Sequence, residues 1–104
     1  MEAQLNVTEF REKTAKGVSL VDFWAAWCGP CRMLMPVIEQ LESEFAGKAQ
    51  ILKLDVDKNK ELAKEFNVRN IPVLFLIKDG EVVQQFNGPQ NKNKLADALN
   101  AALQ

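Results

Sequence analysis

Along the 104-residue chain the spacing of apolar positions changes period several times. "VSLVDFW", residues 18–24, is apolar almost throughout, as expected of a central strand covered on both faces. From about Cys28 to Phe45, the positions Leu34, Val37, Ile38, Leu41 and Phe45 fall at steps of three and four, which predicts a long helix closed by Gly47. "AQILKLDV" and "PVLFLIK" read as further strands, and Asp79-Gly80 as a hairpin turn into "EVVQQFN". "AQLNV" reads as a short first strand. Thr8 is the predicted cap of a helix through "EFREKTAK" that Gly17 ends. Asp57 is the predicted cap of a short helix, "KNKELAKEF", with Leu62, Ala63 and Phe66 on one face. A last helix follows Asn91, with a stripe of Leu95, Leu99, Ala102 and Leu103.

The resulting order, βαβαβαββα, predicts an α/β fold. Its mixed five-stranded sheet is mostly parallel, carries an antiparallel C-terminal hairpin at its edge, and is flanked by four helices. The length predicts one domain over residues 1–104. Thirteen basic against fourteen acidic residues alternate along the chain, leaving no basic stripe for nucleic acid and no polybasic cluster for a membrane. The longest apolar runs are far too short to span a bilayer. The N-terminus has no basic start or apolar stretch of a signal peptide, and two cysteines are too few for a disulfide-rich secreted scaffold, so a cytoplasmic protein is expected from the cysteine usage.

Both cysteines lie in "DFWAAWCGPCRMLMP", residues 22–36, three positions apart. Cys28 directly follows a predicted central strand and opens a helix, at the end of the sheet where α/β folds place their sites. The free N–H groups and positive dipole end of a helix N-terminus favour a thiolate there. An i, i+3 spacing brings the two sulfurs to one face, close enough to bridge. Pro30 is tolerated in the first turn. The first cysteine would then be the exposed attacker and the second the more buried partner. Three other readings compete, the least favoured of them a cluster shared between two subunits. A zinc site normally takes four ligands, and a chain with no histidine and no third cysteine could complete one only with acids. A structural disulfide gains little by closing so short a loop. A reactive dithiol fits best, and no metal is expected.

With "VDFWAAWCGPC", "NIPVLFLIKDG" and the turn at Gly88, the chain resembles the thioredoxin family over essentially its whole length. "WCGPC" is highly specific for one branch, since related isomerases and oxidases carry other central dipeptides. The resemblance implies reduction of protein disulfides by dithiol–disulfide exchange, through a mixed disulfide at Cys28 that Cys31 resolves. No cofactor beyond the Cys28–Cys31 pair is implied. The implied partners are disulfide-containing proteins and, because the chain has no Gly-rich nucleotide-binding turn, a separate thioredoxin reductase as electron donor. A monomer is expected.

Four further expectations concern the surroundings of the pair. Asp22, an acid in an apolar strand, should have its pKa raised by desolvation; the competing, less favoured readings are a hydrogen-bonded structural group or a strand-edge charge. The resemblance implies that it manages the proton of Cys31, and that Lys53, otherwise a solvated strand lysine, pairs with it. Pro72, unremarkable as a trans proline at a strand start, matches the family's cis-proline, with the Ile71 backbone pairing with substrate. Trp27, Gly29, Pro30, Val56, Ile71, Pro72 and Gly88 would frame an apolar docking patch. Pro36 should bend the long helix. Ala26, Asn70, Val73, Asn87 and Pro89 depart from the commonest family pattern. Those around Asn70 and Asn87–Pro89 bear on the choice of partner rather than on the chemistry.

Overall fold

A computed structural model describes residues 2–104, with side chains from Gln4 onward. Five strands and four helices alternate as β1 (Glu2–Ala3), α1 (Val7–Thr14), β2 (Val18–Trp24), α2 (Gly29–Glu44), β3 (Gln50–Asp55), α3 (Lys60–Glu65), β4 (Val73–Lys78), β5 (Glu81–Asn87) and α4 (Lys92–Leu103). The strands lie in the order β1-β3-β2-β4-β5. Four of them make up nearly all of the sheet, because β1 contributes only two residues.

β1, β3 and β2 run parallel, whereas β4 pairs antiparallel with β2 and β5 antiparallel with β4. The expectation of a mostly parallel sheet with one antiparallel edge is therefore corrected, since the reversal begins in the middle, at β2–β4. Helix length explains it. α2 has sixteen residues and spans about 24 Å, enough to carry the chain back to the start of a parallel neighbour. α3 has six and spans about 9 Å, short of the roughly 20 Å length of a six-residue strand. The chain leaving β3 never returns to the far end of the sheet, and Val73 enters β4 beside Phe23 at the end of β2.

Alternation along the strands divides the core into two layers. Val18, Leu20, Ile51, Leu74, Leu76 and Phe86 pack against Leu34, Ile38 and Leu41 of α2 and Leu95 and Leu99 of α4. Val21, Phe23, Leu52, Leu54, Phe75 and Ile77 face Phe10 of α1 and Leu62 of α3. Leu103, assigned to the α4 stripe by its spacing, is exposed at the end of the helix.

Two predicted helix caps move. α1 begins at Val7, and Asn6 rather than Thr8 caps it. The Asn6 side chain accepts the Glu9 N–H at 2.8 Å, and the Glu9 carboxylate accepts the Asn6 N–H at 2.9 Å, a reciprocal capping box. The first strand is accordingly shorter than "AQLNV". At α3, Asn59 rather than Asp57 holds the cap position, without a side-chain cap bond. Its amide is committed elsewhere, accepting the Leu5 N–H at 2.8 Å and donating to the Asp55 carbonyl at 3.0 Å. The hairpin turn is as expected. Asp79 and Gly80 both adopt positive φ, and the Asp79 carboxylate accepts the Gly17 N–H at 2.8 Å. Past this turn the β4–β5 register shifts between Leu76 and Ile77, and Val82 and Val83 are both left exposed on the edge strand.

Candidate active site

At the carboxyl end of β2 the chain turns through Ala25–Trp27 and enters α2. The Cys28 N–H donates to the Ala25 carbonyl at 3.1 Å, and the Arg32 guanidinium braces the turn by donating to the Ala26 carbonyl at 2.8 Å. Cys28 is the N-cap of α2, with extended backbone angles, and Pro30 occupies the first turn, where its missing N–H leaves no bond unmade. The pair is joined as a disulfide, a state that both the reactive-dithiol and the structural-disulfide readings allow. Cys28 and Cys31 are bonded, with Cα atoms 5.3 Å apart. Among the described residues no group of three or more His, Cys, Asp and Glu side chains is placed to hold a metal.

The two sulfurs are not equivalent. The Cys28 sulfur accepts the Cys31 backbone N–H at 3.2 Å and lies 3.9 Å from the Ile71 carbonyl oxygen. Cys28 is 6% exposed and Cys31 0%. After reduction, the Cys31 N–H and the positive end of the α2 dipole both favour negative charge on Cys28. Cys31, one turn inside the helix, has no comparable exposure.

Around the pair, Ala25 completes a small buried cluster, with Trp24, Val56 and Ile71 packed against it. The Ile71–Pro72 peptide is cis, and the Pro72 carbonyl accepts the Gly88 N–H at 2.9 Å. Gly88 has φ +78°, a conformation that L side chains rarely adopt, so any other residue would be strained there. Gly29 has ordinary backbone angles and open space where a Cβ would stand, and nothing in its surroundings requires glycine. Trp27 is 68% exposed, and its indole Nε1 donates to the Asp57 carboxylate at 2.8 Å. The predicted patch residues thus meet around the disulfide, with Pro72 buried, Gly29, Val56, Ile71 and Gly88 half-buried, and Trp27 and Pro30 exposed.

Asp22 is fully buried in β2, and neither of its carboxyl oxygens has a hydrogen-bond partner in the protein. By the alternation of the strand it shares the face of Leu20, under α2 and α4. Burial pushes its pKa up to about 7, against the opposing pull of the Lys53 charge. Lys53 is its register partner on β3. The direct pair expected between them is not formed. The Lys53 ammonium lies 3.8 Å from Glu39 and 3.7 Å from Glu42, both on α2. Its long stem carries the charge past the carboxylate to the helix, where solvent lowers the cost of holding it. Beside it a surface cavity of about 320 Å³, lined by Trp24, Arg32, Met35, Glu39 and Lys53, opens between α2 and the sheet. Another, of about 450 Å³, lies between α1, α3 and the β4–β5 turn and contains none of the predicted site residues.

Sequence reasoning missed Asp57 as the partner of Trp27. Its place at the carboxyl end of β3, the same edge of the sheet that carries Cys28, was the available signal; its fitness as a helix cap obscured it. The contact of Arg32 with Ala26 left no such trace.

Comparison with known proteins agrees with this geometry. A family model for thioredoxin matches residues 2–101. The thioredoxin of Staphylococcus haemolyticus is 51% identical over 96 residues, covering 92% of each chain, and that of Staphylococcus epidermidis is 50% identical over the same share. Among solved structures, a single-site mutant of a thioredoxin from Halobacterium salinarum superposes with a TM-score of 0.88 at 38% identity, covering 100% of this chain and 90% of the other. A second, from a study of thiol resolution in yeast mitochondrial 1-Cys peroxiredoxin via glutathione/thioredoxin systems, gives 0.85 at 30% identity, covering 97% and 93%. Joined to a disulfide held at a strand-to-helix junction, these likenesses lead to one conclusion: the chain belongs to the thioredoxin family and is a dithiol–disulfide oxidoreductase.

Proposed function

We propose that the chain works as a single-domain, monomeric reductant of protein disulfides in the cytoplasm, recharged by a thioredoxin reductase. The observation that carries this reading is the asymmetry of the pair, with the Cys28 sulfur accepting a backbone N–H at the helix start, Cys28 6% exposed and Cys31 behind it fully buried. In the reduced protein the Cys28 thiolate attacks one sulfur of a substrate disulfide. A mixed disulfide forms and the other substrate sulfur leaves as a thiolate. Cys31 then gives up its proton and attacks the Cys28 sulfur. The substrate leaves with both sulfurs reduced, and the Cys28–Cys31 bond holds the two electrons' worth of oxidation.

Asp22 is the acceptor for the Cys31 proton. A carboxyl with a pKa of about 7 is divided between its two forms at neutral pH, so it can take a proton in this step and release it before the next turnover. Lys53 tunes it through space, holding that value below what burial alone would give. The segment of Ile71 and the cis Pro72 receives the substrate backbone as a short added strand, and Trp27, Gly29, Pro30, Val56 and Gly88 surround the contact.

An insulin turbidity assay with a thiol donor tests the reading. The protein should accelerate precipitation, whereas a binding module of the same fold would leave it unchanged. Cys31→Ser should accumulate a mixed disulfide through Cys28. Trapping only through Cys31, in the Cys28→Ser protein, would reverse the roles. Equilibration against glutathione at known ratios should show a reducing poise, and an oxidising one would indicate an oxidase or isomerase instead.

A further inference from the structure

Pro30, between the two cysteines, is also one wall of a groove of about 270 Å³ that continues along Met33, Leu34 and Val37 of α2 to Pro89 and Gln90. Met33 is 82% exposed, more than any other large apolar side chain among the described residues. It supports no core contact, as Leu34 and Ile38 face inward while Met33 stands out into solvent. Met35, two positions on, is half-buried against the α2–α4 core layer. Both cysteine sulfurs are bonded to each other. In the disulfide form, Met33 therefore presents the most exposed unbonded sulfur among the described residues.

We propose that Met33 is an oxidation site, converted to the sulfoxide by hydroperoxides while the cysteines are held as a disulfide, and that this change weakens docking of protein substrates without altering the disulfide. The thioether sulfur attacks the distal peroxide oxygen, forming the S–O bond and breaking the O–O bond. The proton of that oxygen passes to the departing one, which leaves as water or an alcohol. Sulfur loses two electrons and the peroxide gains them. The product replaces an apolar wall beside Pro30 with a strongly polar, chiral group that must be dehydrated whenever a partner closes over the groove. A small disulfide that reaches Cys28 without covering the groove meets no such penalty.

The docking half of this inference rests on the reductase reading above; the oxidation half does not. The disulfide form is treated with hydrogen peroxide, the peroxide is removed with catalase, and the added oxygen is located by peptide mass mapping. Met33 should gain oxygen about tenfold faster than Met35. Turnover of insulin should then fall about tenfold while turnover of a small aromatic disulfide is unchanged. Met33→Leu, compared with its own untreated form, should lose no insulin turnover. The proposal is overturned if Met35 is oxidised as fast as Met33, or if the leucine variant loses as much turnover on treatment as the parent. An untreated parent that fails to reduce insulin would instead overturn the reductase reading, and the mapping would still decide the oxidation.

Discussion

The two faces of the sheet are built on different principles. Toward α1 and α3 the core is largely aromatic, and Ser19, buried on that face of β2, accepts a hydrogen bond from the Gln50 amide. Phe66 packs edge-on against Phe10 and at a tilt against Phe23 and Phe75, with ring centroids 4.9–5.6 Å apart, and Phe23 and Phe75 meet edge-on at 5.8 Å. Toward α2 and α4 the same strands carry Asp22 without a hydrogen-bond partner and Lys53 beside it, under a helix with a disulfide at its start and Pro36 within it. Desolvating a carboxylate is unfavourable to folding. The face that bears this burden is the one next to the reacting sulfurs, and the other face has no such burden. The contrast teaches a division of labour, with cohesion on one side and chemistry on the other, and it can be tested by substitutions that should affect one without the other.

Cys28→Ser should give the largest effect of all on turnover, abolishing reduction of insulin while leaving the far-UV circular dichroism unchanged, because the sulfur is part of no large core layer. Phe23→Ala on the opposite face should destabilise the oxidised protein by roughly 3–5 kcal/mol in denaturant unfolding, with chemistry intact in the folded fraction. A comparable loss of turnover and stability in both variants would erase the distinction.

Asp22→Asn comes next and should act on both quantities in opposite directions. An ordinary aspartate titrates near 3.9 when unfolded, and Asp22 titrates at about 7 when folded. Between those values the folded state holds more protons than the unfolded one, so stability falls as pH rises from about 4 through 7 and stays low above. The asparagine variant should lose this slope, gain on the order of a few kcal/mol above pH 8, and resolve mixed disulfides more slowly. The chain has no histidine, so no imidazole contributes to that slope. A stability profile in the variant that kept the wild-type slope would remove Asp22 from the account.

Smaller still, Lys53→Met should move the midpoint of that slope to higher pH by removing the charge that opposes it. Asp57→Ala should free the Trp27 indole and cost about 1 kcal/mol or less, read from the indole emission maximum and the unfolding midpoint.

Much of this plan is legible in the sequence where one physical signal dominates. β2 and β5 begin and end where their composition and the Asp79-Gly80 turn place them. The site pair is readable because a thiol pair at a strand-to-helix junction has few structural uses. Signals that depend on a distant partner are not readable. Asn6 outcompetes Thr8 as a cap because Glu9 reciprocates, and Asn59 forgoes capping because Leu5 and Asp55 use its amide. The direction of β4 is in principle available, since six helical residues cannot cross a strand's length. Strand–helix alternation alone argues the other way. Motif likeness identifies Lys53 as a neighbour of Asp22, but the carboxylates of α2 that draw its ammonium away lie a helix turn apart in the sequence and give no local cue.

The antiparallel seating of β4 has a consequence for how the chain finds its fold. The β4–β5 hairpin closes across two residues and should form early, on the microsecond scale of hairpins. Joining it to β2 is a different task, because Phe23 must meet Val73 and Val18 must meet Lys78, fifty and sixty positions apart in the chain. Loop closure of that span precedes any contact that rewards it. The middle of the sheet is then a late seam to close compared with the hairpin, and the residues that line it bear on how fast an unfolded molecule returns to use.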